Sequence, residues 1–392
     1  MNNQKTPLFR VARRTPPKRT TIVIIYAAAI LSALILASVF LVVLGVNPFV
    51  FFMNMITIGI IGNPYPQRAI INLITTFVPL FMTSMALSLA FRMRFWNIGG
   101  EGQFILGSIA AATVAFKLGE ILPAIVLLPL MFITGIVAGG IYAGITALLK
   151  VKFNTNETLI TLMLNYIALY FINFLGITQG DWNFFLSKES LRAIFGSFPE
   201  ASKMPAITLG KFQLNISLII ALIICLIIYI YIRYTKQGYE ISVVGDSLDT
   251  ARYAGMDVPK VIIRTVFVSG ALIGLAGAMH ASTQGILSTT ITNDVGWTGV
   301  VVAWLAKLNI GGIAVTSLLL SVLDYGCQTA SVQFSSLDSH FSEMLQGIIL
   351  FSVLAADFFI SYKLIFREKA PKTGIPIVET KRKTQGGVKQ ND

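Results

Sequence analysis

KQGYEISVVGDSLDTARYAGMDVPKV, residues 236–261, is a polar island between two long apolar runs. Its punctuation predicts a short helix that stands apart from its neighbours. Asp246 or Ser247 supplies a capping oxygen, residues 248–254 make about two turns, and Gly255 offers the left-handed stop. Asp257 and Pro259 then restart the chain as a new helix. A capped surface helix wedged between apolar runs is a candidate docking element, although an ordinary capped connection fits the same residues. What surrounds it decides between the two.

Hydrophobic residues make up 55% of the 392-residue chain and charged residues only 12%. With a mean hydropathy of +0.75, this composition excludes a soluble globular domain and predicts an all-α, polytopic membrane bundle. The run at 21–46 is too long for a signal-peptide core and has no A-x-A-like site after it, so it reads as a retained first span. Further apolar runs fall at 71–91, 102–116, 121–149, 157–175, 213–234, 262–281, 297–308, 310–326 and 343–362, about ten spans in all. The chain thus divides into a basic tail (1–20), a transmembrane domain (21–362) and a second basic tail (363–392). Long connections lie at 176–212 and 236–261.

The net charge of +12 would fit nucleic-acid binding, but its distribution argues for topology instead. With the N-terminus in the cytoplasm, 24 of the 30 Lys and Arg residues fall in inner segments and the other six in outer ones. That asymmetry sets both termini inside and leaves the tails free to lie against anionic membrane lipid. Nucleic acid is not an expected partner. Residues 236–261 are then cytoplasmic, and 176–212 faces outward. The outer loop carries Trp182, Phe184, Phe185, Phe195 and Phe198, a density that suits an amphipathic segment resting at the interface. Its Lys188, Arg192 and Lys203 equally suit docking of an acidic extracellular partner.

Polar and glycine-broken segments interrupt two of the spans. FRMRFWNIGGEGQFILG at 91–107 places Gly99, Gly100 and Gly102 around Asn97, Glu101 and Gln103. Three glycines, each unfavourable in a helix by about 1 kcal/mol, predict a break there. A second break, NDVGWTG at 293–299, enters from the opposite face. Together they predict an inverted repeat of spans two to five against seven to ten. Asn165, Tyr166, His280, Asp324 and Asp357 read first as interhelical hydrogen-bonding groups, and the GxxxG pairs 135/139, 140/144 and 270/274 as packing contacts. Asn156 caps a helix whose first residue, Glu157, complements the dipole. No phosphate-binding loop occurs, and two separated His and two isolated Cys make no metal, disulfide or nucleophile constellation. The chain is therefore read as a non-enzyme.

Several segments in order resemble one family. FRMRFWNIGGEGQFILG, TNETLITLMLNYIA (155–168), VVGDSLDTARYAGMDVPKV (243–261), SGALIGLAGAMH (269–280) and LQGIILFSVLAADFF (345–359) are similar to permease subunits of bacterial ABC importers. The branch is that of branched-chain amino acid, simple-sugar and nucleoside systems, and the NIGGEGQ and NETLITLMLNYIA forms are most like nucleoside (guanosine-type) permeases. The resemblance covers about 70–360. It departs from the family pattern at 293–313, where Trp304, Lys307 and Asn309 interrupt a glycine-rich run.

This resemblance implies a type II importer-like fold in the bacterial cytoplasmic membrane, with ATP and Mg held by a separate ATPase and no cofactor in this chain. It also implies a second related permease, forming a heterodimer, and an extracellular substrate-binding lipoprotein. Residues 245–259 become the coupling helix. There Leu248, Ala251 and Met256 form the apolar face for the ATPase, with Asp246, Ser247, Asp249, Arg252, Gly255 and Lys260 around it. Trp96, Asn97, Glu101, Gln103, Asn165 and Trp297 become the candidate lining of a nucleoside path. A sugar or amino-acid permease is the alternative within the family. An ion-coupled secondary transporter is the alternative outside it, since broken helices and intramembrane carboxylates serve both.

Overall fold

A computed structural model describes residues 9–13, 18–59, 66–209, 212–334, 337 and 340–366. Most of both predicted tails, and Lys211, lie outside these. The helices are α1 (Arg19–Val43), α2 (Pro48–Gly59), α3 (Pro66–Arg92), α4 (Gly100–Leu118), α5 (Ala124–Phe153), α6 (Glu157–Ile177), α7 (Ser217–Tyr234), α8 (Lys236–Asp246), α9 (Leu248–Tyr253), α10 (Val258–Gln284), α11 (Val295–Leu305), α12 (Ile310–Gln333) and α13 (His340–Ser361). Among the described residues there are also four short strands: β1 (Phe9–Arg13), β2 (Ala206–Leu209), β3 (Phe212–Asn215) and β4 (Tyr362–Phe366). Among the described residues, eight helices are long and apolar enough to cross a membrane, so the chain is the all-α polytopic bundle that its composition predicts.

The chain forms two compact units, residues 1–30 with 353–392 and residues 31–352. In the first, β1 pairs antiparallel with β4, Phe9 opposite Phe366 and Arg13 opposite Tyr362. The Tyr26 hydroxyl donates to Asp357 at 3.1 Å. The first and last described segments therefore run side by side.

The second unit is organised around α10, which packs on α3, α4 and α5. Lipid cannot drive helices together by a hydrophobic effect, so close backbone approach has to do it. A Cβ at Gly274 would strike Gly135 and Gly139 of α5, and one at Gly107 of α4 would strike Gly274 itself. The GxxxG pairs therefore pack the bundle as expected, with Gly140 and Gly144 facing the Phe267 ring. Caps set the element ends. Asn156 Oδ1 accepts from the Thr158 and Leu159 amides, and Glu157 pairs with Lys150 at 2.9 Å, tying the end of α5 to the start of α6.

Several features differ from the sequence reading, beginning with the span count: eight helices among the described residues, not about ten, are long and apolar enough, and α4 over the run at 102–116 is not one of them. The run at 297–308 is not a full span: α11 has 11 residues, about 16 Å of helix against a hydrocarbon core of about 30 Å. Helix α2 is new, with Phe51 buried against the Phe334 and Phe341 rings. The run predicted from 213 begins as a helix only at Ser217, because 212–215 pairs with 206–209 in a hairpin. Finally, the aromatics of the 176–212 loop do not form an amphipathic surface segment. Phe185, Phe195 and Phe198 are buried, and Phe116 of α4 meets Phe185 and Phe198 edge-on at 6.0 and 5.2 Å. Trp182 stacks on Phe174 at the end of α6. Tertiary packing of the loop onto helix ends replaces the lipid face.

Replacing Gly274 by Leu should overpack the α5/α10 contact, costing at least ~1–3 kcal/mol. A thermal melt in detergent checks this, with Gly144→Ala as the tolerated control, because its Cβ meets only Phe267 at an ordinary 3.6 Å.

Candidate functional site

The two glycine-broken segments meet. Helices α4 and α11 approach N-terminus to N-terminus, so closely that a Cβ on Gly296 would strike the Glu101 backbone. Glu101 Oε2 accepts from the Gly296 amide at 2.8 Å, and Glu101 is 6% exposed. A carboxylate there answers two positive helix ends at once and satisfies an amide that has no partner within α11. On the other side of the NIGGEGQ segment, Asn97 and Gln103 exchange side-chain bonds at 2.9 and 3.3 Å. Asn165 of α6 accepts from the Gly102 amide and donates to the Ile98 carbonyl, both at 2.8 Å. Asn97, Gln103 and Asn165 are each at most 3% exposed. The structure thus brings four of the six predicted lining residues to one junction, where their bonds go to the fold. Trp96 lies apart, stacked on Trp304 at 5.0 Å beside Phe91. Trp297 is partly exposed on α11.

Next to this junction is a cavity of about 370 Å³. Its wall comes from α3 (Thr75, Thr76, Pro79), the end of α10 (His280, Gln284), the 286–295 segment (Ser288, Thr290, Thr292, Asn293) and Gln328 of α12. No Asp, Glu, Lys or Arg lines it; the groups are neutral amides and hydroxyls, one imidazole, and apolar Ile286, Ile291 and Val295. Pro79 sits inside α3 and has no N–H for the Thr75 carbonyl four residues back, which frees an acceptor at the wall. His280 is foreseen only as an interhelical group, and Gln284, Asn293 and Gln328 escape the sequence reading as lining. The interior proline followed by two helix-borne glutamines is the faint signal for them.

The 236–261 stretch is a two-helix element. Ser247, not Asp246, caps α9, accepting from the Thr250 amide at 3.2 Å; Asp246 instead ends α8, which the sequence reading treats as connection. Gly255 adopts φ +74°, the left-handed stop, and Asp257 accepts from the Lys260 amide at the start of α10. Ala251 must be corrected: it is fully buried with Ile241, Val244, Val258 and Val261, so it faces the bundle and not a partner. The exposed side of α9 carries Leu248 (46%) and Tyr253 (94%), flanked by an Asp249–Arg252 pair at 3.6 Å, while Met256 is half-buried. Behind it, Gly245 of α8 lies against the Arg92 carbonyl of α3, and Glu240 pairs with Arg264 of α10 at 2.9 Å. The element is thus seated on the ends of α3 and α10. Of the loop cations, Lys188 and Arg192 are exposed, and Lys203 pairs with Glu200 at 2.5 Å.

Two outcomes follow. Glu101→Gln keeps an acceptor for Gly296 and should lose only the charge–dipole part, about 1 kcal/mol or less, whereas Glu101→Leu should lose more, about 1–3 kcal/mol. The Lys260 side chain and amide hold Asp257 below the usual carboxylate range. Its capping contribution is therefore present above that range and lost as pH falls through the depressed value. Hydrogen exchange at the Lys260 amide should quicken relative to its neighbours on acidification, and Asp257→Asn, which still caps, should remove that dependence.

Residues 69–354 match the family model described as the permease component of branched-chain amino acid transport systems. The chain is 29% identical over 344 residues to the glucose ABC transporter permease protein TsgB13 of Haloferax volcanii, covering 86% of this chain and 88% of that one. It is 31% identical over 310 residues to the guanosine ABC transporter permease protein NupP of Bacillus subtilis (76% and 83% covered). It is also 31% identical over 304 residues to the nucleoside ABC transporter permease protein NupB of Lactococcus lactis (76% and 82% covered). With its broken-helix junction and multi-pass bundle, the chain belongs to the family of branched-chain amino acid transport system permease components.

Proposed function

We propose that the protein is the membrane-spanning subunit of an ATP-driven nucleoside importer. The observation that carries this reading is the cavity beside the α4/α11 junction: about 370 Å³, lined by neutral hydrogen-bonding groups with apolar patches. That lining suits a neutral polar solute with a flat apolar face. It offers no oppositely charged partner to the ammonium and carboxylate of an amino acid. Relatives named for guanosine and for nucleosides support the same choice.

In this reading the Lys and Arg asymmetry sets the termini and α9 in the cytoplasm of a bacterial plasma membrane. ATP and Mg sit on a separate ATPase that grips Leu248 and Tyr253. A second, related permease completes a heterodimer. An extracellular lipoprotein delivers the substrate, docking on the loop that bears Lys188, Arg192 and Lys203. A sugar cargo is the second reading, favoured by the extensive likeness to a glucose permease.

Uptake into vesicles containing the full complex tests the proposal, with guanosine as substrate and glucose, ribose and leucine as competitors. Uptake should require ATP and be blocked by nucleosides alone. Displacement by glucose would move the assignment to sugars, and uptake without the ATPase would favour an ion-coupled carrier. Gln284→Ala or Asn293→Ala should lower uptake roughly five- to tenfold, the loss of one hydrogen bond of about 1 kcal/mol or slightly more. Leu248→Asp and Tyr253→Ala should abolish co-purification of the ATPase with the folded chain; retained association would contradict the docking role.

A further inference from the structure

We infer that a basic cleft at the Arg92 end of the bundle binds the phosphodiester of an anionic phospholipid. The cleft is about 300 Å³ and lies between Arg92 of α3, Tyr229, Ile232 and Arg233 of α7, Ser242 of α8 and the start of α12 at Asn309 and Ile310. Two of its lining residues are arginines and none is acidic. Among the described residues neither guanidinium takes part in an ion pair, whereas Arg264 is neutralised by Glu240.

Arg92 is held in place without being neutralised. One of its Nη atoms donates to the Leu308 carbonyl at 2.5 Å, and its Nε is buried with no hydrogen-bond partner. As a residue lining the cleft, Arg92 keeps its charge and further guanidinium donors, for which a phosphate oxygen is the acceptor that the planar fork fits best. Asn309 Oδ1 is occupied by the Gly311 and Gly312 amides, which leaves its own N–H groups for a ligand. The cleft therefore presents donors and positive charge together, as basic pockets between helices do for lipid headgroups.

A surface stripe on α7 favours a lipid over a free anion. Leu222, Leu226, Tyr229 and Arg233 recur at steps of four, three and four, so they share one helical face. The first three are 53%, 59% and 40% exposed, and Arg233 is exposed too. From Leu222 to Arg233 the helix rises about 16 Å, close to half of a hydrocarbon core of about 30 Å, so the stripe runs the depth of one leaflet. An acyl chain lying along it would bring its phosphate to Arg233 and the cleft. The lipid so placed would bridge α7 to α8 at the base of the two-helix element.

The full-length protein, purified in a neutral detergent, is titrated with phosphatidylglycerol, phosphatidylcholine or inorganic phosphate. Thermal stability and native mass spectrometry are the readouts. Phosphatidylglycerol should stay bound and raise the melting temperature; phosphatidylcholine and phosphate at equal concentration should do neither. Arg233→Gln, which leaves the Arg92–Leu308 contact intact, should weaken phosphatidylglycerol about fivefold. Leu226→Asn should weaken it as well. Unchanged binding by a folded Arg233→Gln protein, or equal binding of phosphatidylcholine, would overturn the site. Stabilisation by inorganic phosphate alone would overturn its assignment to lipid.

Discussion

The carboxylate of Glu101, bonded to the Gly296 amide, makes the rest of the arrangement possible. Inside a bilayer every backbone polar group needs a partner, so a helix that begins part-way through the membrane exposes amides that water does not reach. The N-termini of α4 and α11 are set against each other here, and the Glu101 side chain lies at both. Glycine at 100 and 296 lets the backbones come close enough for the carboxylate to reach. The 285–294 segment leads from the end of α10 to the start of α11, and it supplies much of the cavity wall. The site therefore follows from the break in the helix.

A second constraint links this junction to the surface. Helix α3 carries Pro79 and the threonines of the cavity near its middle, and its last residue, Arg92, lies against Gly245 of α8. Helix α10 begins at the Asp257 cap directly after α9 and ends at the cavity with His280 and Gln284. In the proposed reading, a displacement of α9 would reach the cavity through these two long helices, which pack on each other. Rigid elements, not a flexible loop, would carry an ATPase's motion to the substrate.

How much of this the sequence discloses depends on whether the determining interactions are local. The Ser247, Gly255 and Asp257 signals act within a few residues, and the caps and the left-handed turn stand where spacing puts them. The long apolar runs are legible because bilayer thickness sets their length. Ala251 is misread since its side depends on how α9 rolls onto α8 and α10, which no local pattern records. Around NIGGEGQ, Asn97 and Gln103 bond to each other six positions apart. The Gly102 amide, however, meets Asn165, 63 positions away in α6, and Glu101 meets the Gly296 amide, 195 positions away in α11. The cavity is hidden more completely, because its wall is assembled from four separate segments, none of which is distinctive alone.

The claim that ties these parts together is that force applied at α9 reshapes the cavity beside the Glu101 junction. Pulsed dipolar spectroscopy on the full complex measures it directly, with spin labels at Thr76 and Ser288 in the cavity wall. The account expects the distance distribution to shift when a non-hydrolysable ATP analogue binds the ATPase, and the shift to vanish when Leu248→Asp uncouples it. Identical distributions with and without nucleotide, in a complex that still transports, would contradict it.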